Sequence, residues 1–155
     1  MPKLLLFTVA EKVVFDQTGK PSLIVLFDGV EIRPARGEEI PPNAVVPKEW
    51  SVFTQWQWLN GERGREFFQG VAVAYPDGRQ FMRQITKADS SQERLNSIAN
   101  FPGFPVGQAG AMKVDVWMEQ DGKPVTEIFS LTLTVTVKPL RPEEVPPQQV
   151  SVKSI

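Results

Sequence analysis

Residues 127–137 sort into two sets by parity. Glu127, Phe129, Leu131, Leu133, Val135 and Val137 fall on one side, and Ile128, Ser130, Thr132, Thr134 and Thr136 on the other. Neighbouring side chains of a strand point to opposite faces. The segment therefore reads as a strand with one greasy face and one face of hydroxyls. The stretch before it repeats the pattern: Met112, Val114, Val116 and Met118 alternate with Lys113, Asp115, Trp117 and Glu119. Asp121-Gly122 lies between the two, so Met112–Glu119 and Val125–Val137 are predicted as a long hairpin.

Upstream, runs rich in Val, Ile, Phe, Trp and Thr are separated by turn residues at Asp16 to Lys20, Asn60-Gly61 and Pro76-Asp77-Gly78. They predict strands over Leu4–Val9 and Lys12–Phe15 (one strand with a break), Ser22–Ile32, Glu49–Leu59, Phe67–Tyr75 and Gln80–Thr86. A Pro-rich loop crosses from Pro34 to Pro47. Asp89 to Phe104 reads either as a capped helix over Gln92–Ile98 or as an irregular strand with Leu95, Ser97, Ala99 and Phe101 inward. The strand reading is preferred.

The expected fold is all-β: an antiparallel two-sheet sandwich, immunoglobulin-like in architecture, with about seven or eight strands. The sandwich domain is expected over 1–138, and 139–155 as a Pro-rich, flexible C-terminal tail that buries too little apolar surface to offset its ordering entropy. At the tail's end, Val150 to Ile155 is β-prone and is read as a frayed terminus, with pairing to a sheet edge as the alternative.

Composition narrows the chemistry. The 155 residues contain no Cys and no His, and the net charge is −1. Disulfides, thiolate zinc sites, cysteine nucleophiles and Ser-His-Asp triads are excluded. No basic field favours nucleic acid. The apolar run after Lys3 is short and interrupted by Glu11 and Lys12, so it reads as a strand and not as a leader; no run approaches the roughly 20 apolar residues of a membrane helix. A cytoplasmic protein without cofactor, metal, nucleic-acid or membrane partner is expected, and no enzymatic activity.

Candidate sites are few. Trp50, Trp56 and Trp58 share a face with Val52 and Thr54, opposite Ser51, Gln55 and Gln57. Core packing is the expected role, and a stacking platform for sugar rings is the alternative. Trp117 sits among Lys113, Asp115 and Glu119 and is expected to be exposed, as an anchor for a protein partner or a second copy. Arg63 and Arg65 flank a charged turn and, with Arg79 and Arg83, are candidates for holding a phosphate or carboxylate. Asp28, Glu31, Asp77, Asp115, Glu119 and Asp121 could supply a hydrolytic carboxylate pair, which spacing alone cannot reveal.

The run Ala10-Glu11-Lys12-Val13-Val14-Phe15-Asp16, then Gly19-Lys20, Ser22-Leu23-Ile24 and Phe27, resembles the opening of a family of uncharacterised bacterial β-sandwich proteins. Pro76-Asp77-Gly78, Phe101 to Pro105 and the closing hairpin from Gly110 to Val137 are similar in order. The resemblance implies a bacterial or phage source and a sandwich, and no activity. The expected function is a non-catalytic protein-binding or assembly module. The alternatives are a carbohydrate-binding module and a carboxylate-dependent hydrolase.

Overall fold

The computed structural model describes residues 1–26, 28–34 and 38–138, together with the backbone of 151–154. The described residues form an all-β sandwich. The four-stranded sheet contains β1 (Lys3–Phe15), β2 (Pro21–Leu26), β5 (Trp50–Gln57) and β8 (Arg94–Phe101), in the order β2-β1-β5-β8. The larger sheet contains β3 (Gly29–Arg33), β6 (Phe67–Ala74), β7 (Gln80–Ala88), β10 (Gly110–Gln120), β12 (Phe129–Val137) and β13 (Ser151–Ser154), in the order β13-β3-β12-β10-β6-β7, with β11 (Lys123–Pro124) added to β10. A short ladder joins β4 (Val45–Val46) to β9 (Phe104–Pro105). Among the described strands, pairing is antiparallel except between β3 and β12.

The predicted parity of the closing hairpin holds. Met112, Val114, Val116 and Met118 are buried, as are Leu133 and Val135, and Phe129 and Leu131 pack against the core. Facing them are Val52 and Trp56 of β5 and Val9 of β1. Each such side chain contributes roughly 1.5–3 kcal/mol by leaving water. Within 89–104 the strand reading holds for Arg94–Phe101, and Ala99 and Phe101 join the core.

After Lys3, β1 runs through four consecutive apolar residues, Leu4 to Phe7, which simple alternation cannot place on one face. A register shift between Leu4 and Leu6 inserts an extra residue, so that Leu4 and Phe7 both turn inward. The interruption therefore falls before Leu6, earlier than the break expected between Val9 and Lys12.

The expected strand over Ser22–Ile32 is two strands in different sheets. The chain leaves the four-stranded sheet after Leu26 and enters the larger one at Gly29, where it pairs with Thr134. Asp28-Gly29 is the breaker that marks this switch. A Cβ at Gly29 would stand 2.2 Å from the Thr134 carbonyl oxygen, so only glycine lets the crossing chain approach β12 this closely. Likewise the expected strand over Val125–Val137 regularises only from Phe129.

The C-terminal segment also differs from expectation. Ser151–Ser154 pairs antiparallel with β3 instead of fraying. Residues 139–150 of the expected flexible tail lie outside the described residues.

Candidate binding surface on the sandwich flank

Trp50, Trp56 and Trp58 are core residues, at most 3% exposed. Trp50 stacks on Phe101 and Trp58 on Phe67, and Trp56 meets Phe129 edge-on. A buried indole needs a hydrogen-bond acceptor, and each has one. Trp50 Nε1 donates to the Gly103 carbonyl at 2.8 Å, Trp58 Nε1 to the Asp89 carbonyl at 3.1 Å, and Trp56 Nε1 to Gln69 Oε1 at 2.9 Å. Gln69 Oε1 also accepts from the Thr54 hydroxyl at 3.0 Å, which ties the two sheets together inside the core. These rings offer no stacking platform to a sugar.

Trp117 corrects the sequence reading. It lies on the outer face of the larger sheet, as its parity requires, yet it is only 6% exposed. Its partner across the ladder is Gly70, whose missing side chain leaves the ring a bed. The Arg83 guanidinium lies 5.5 Å from the ring centroid, and Nε1 donates to Glu119 Oε2 at 2.7 Å. Trp117 is therefore not an exposed anchor.

The arginines do not converge. Arg63 donates to the Ser91 carbonyl at 3.1 Å, Arg79 pairs with Asp77 and lies over Tyr75, and Arg83 faces Glu119 and Trp117. Arg65 is exposed in the turn near Arg63. The carboxylates are dispersed in the same way. Asp115 accepts from Ser130, Asp77 from the Arg79 amide and Gln108, and Glu31 from Lys138 at 2.8 Å. The Lys138 ammonium, ahead of Arg33, holds the Glu31 carboxyl below its ordinary value. The Arg79 amide does the same for Asp77. Asp121 sits in a turn with φ of 54°.

The outer face of the four-stranded sheet carries a signal the sequence reading passed over. Phe53 lies among Ser51, Gln55 and Gln57 on the face expected to be solvated, and it is 1% exposed. Its ladder neighbours are Thr8 on β1 and Ile98 on β8. Toward β2 the same face presents Leu6, Val14, Ile24 and Leu26, each between 39% and 58% exposed, with Lys12 among them. An aromatic at the one apolar position of a polar face was the available clue.

This apolar strip runs onto the flank of the sandwich. There Phe7, Thr8 and Val9 of β1 face Leu131, Thr132 and Leu133 of β12 across a slot of about 470 Å³. Leu26 and Asp28, on either side of the switch between sheets, also line it. Among the described residues, Asp28 makes no ion pair, and no helix is long and apolar enough to cross a membrane.

No family model matches the chain, and no curated protein does. Among solved structures, it is similar to a CARDB domain from Pyrococcus furiosus, determined in complex with di-metal ions. That match has 15% identity and a TM-score of 0.40, over 70% of this chain and 86% of that one. Of the family resemblance, the β-sandwich is what the described strands bear out.

Proposed function

We propose that the chain is a non-catalytic protein-binding or assembly module, and that its partner covers the apolar strip of β1 and β2. One observation carries this reading: Val14, Ile24 and Leu26 stand exposed on the outer face of the β1–β2 ladder, and Leu6 is exposed further along β1 on the same face. Large apolar side chains gathered exposed on one face mark association sites in soluble proteins. The strip costs solubility, and covering it would recover the hydrophobic free energy of several large side chains.

The test compares the natural chain with Leu6→Asp/Ile24→Asp. Both substituted positions are already solvated, so the fold should tolerate them. Affinity purification from the source cells and sedimentation of the purified chain should show a partner or self-association that the double variant loses. Identical partners and identical sedimentation for both proteins would sink the reading.

A further inference from the structure

The slot has walls of strand edge. β2 pairs with β1 from Ala10 to Phe15, and β3 pairs with β12 from Thr134 to Val137. Below those limits, Leu4–Val9 and Phe129–Leu133 have no neighbour on that side among the described residues. Phe7–Val9 of the first stretch and Leu131–Leu133 of the second border the same slot.

The backbone of β12 is oriented to accept a strand there. The Thr134 amide donates to the Asp28 carbonyl, on the β3 side. Peptide groups alternate along a strand, so those of Thr132 and Ser130 point the same way, into a lane that no described strand occupies. Such a row of unused donors and acceptors is a template for pairing. The other edges are poorer templates. Pro21 has no N–H and Val25 has a φ of 56°, which blunts β2. Arg83, Gln84 and Lys87 decorate β7, and Arg94, Asn96 and Asn100 decorate β8.

We propose that this flank is an acceptor lane for an extended peptide, which adds to β12 in line with β3 and buries apolar side chains among Phe7, Leu26, Leu131 and Leu133. The proposal rests on the binding-module reading and names the partner's chemistry. The lane has room for about five residues at roughly 3.4 Å each. Phe129, Leu131 and Leu133 share the inner face, so a paired peptide is apolar at alternate positions. Among the described residues, the charged member of the lining is Asp28, at the Thr134 end. An antiparallel peptide therefore carries its basic residue at its N-terminal end. Backbone bonds would supply affinity, and the apolar slot with Asp28 would supply selectivity.

The experiment is amide hydrogen exchange on the whole chain, with and without the peptide Ac-Lys-Val-Thr-Val-Thr-Val-amide. The Thr132 and Ser130 amides should exchange at least about tenfold more slowly with peptide bound. N-methylation of the peptide groups that face β12 should weaken binding by at least about tenfold, without touching the protein. Asp28→Lys should reverse the preference toward a peptide headed by Glu. Three results would overturn the lane: no protection at Thr132, equal binding of the N-methylated peptide, or protection that rises with protein concentration alone, which would give the edge to a second copy. If any of these occurs while Leu6→Asp/Ile24→Asp still loses its partner, the lane falls and the binding module stands.

Discussion

The ring of Trp117 rests directly on Gly70: a Cβ built on that glycine would stand 2.1 Å from Cε2 of the indole. The two residues are ladder partners on β10 and β6. An aromatic on an outer sheet face becomes buried because the neighbouring position holds no side chain.

Gly70→Ala should therefore lift the indole off the sheet and break its bond to Glu119. Overpacking of this kind costs about 1–3 kcal/mol. A denaturation midpoint lower by that amount, with a red shift in tryptophan emission, is the expected result. An unchanged spectrum would mean that the ring does not lie where described.

Gln69 accepts from both Thr54 and Trp56 in a buried setting. Gln69→Leu should leave two donors without acceptors, at roughly 1–3 kcal/mol each. Thr54→Val added to that background should cost much less than Thr54→Val alone, because the hydroxyl has already lost its acceptor. A double-mutant cycle in urea measures the coupling, and strict additivity would deny the shared bond.

Gly29→Ala should disturb the switch between sheets, since the new Cβ would meet the Thr134 carbonyl oxygen at 2.2 Å, and backbone gives way less readily than a side chain. Hydrogen exchange should show β3 and β13 losing protection first, with the β10–β12 hairpin protected longer. Uniform loss across both sheets would contradict this order.

Acid should weaken the fold through particular carboxylates. Glu31 is held down by Lys138 and Arg33, Asp16 by Thr18 and the Lys20 amide, Asp77 by the Arg79 amide, and Asp89 by Ser91. Folded values below the unfolded ones, near 4, give a contribution that is fully present above that range. It fades as pH falls through the folded values. The urea midpoint should be flat from neutral pH to about 5 and drop below about 4. Glu31→Gln should make that drop shallower, and an unaltered acid limb would remove Glu31 from the account.

All four tryptophans are buried. Emission should therefore be blue-shifted in the native chain and unmoved by soluble oligosaccharides. A shift on adding sugar would restore the stacking platform.

How much was legible is clearest at single residues. Parity placed Met112, Val114, Leu133 and Val135 inside and Thr132 and Thr134 outside, because a period of two is set by the backbone of each strand. It also put Trp50 and Trp56 on the face that became the core. Parity put Trp117 on the correct face too, but exposure depends on what stands across the ladder, and Gly70 is 47 residues away in sequence. The burial of Phe53 is hidden in the same way, since its ladder neighbours, Thr8 and Ile98, lie on other strands.

The sequence by itself determined the all-β character, the closing hairpin, the inward set of residues and the exclusion of thiol and imidazole chemistry. Those follow from local periodicity and from the residue inventory. Tertiary structure alone decided that the chain changes sheets at Gly29, that the segment Ser151–Ser154 pairs with β3, and that, among the described residues, β1 and β12 each carry an unpaired edge beside one slot. Each of these depends on which distant strands pair and how far along each other they run, and no local pattern encodes that.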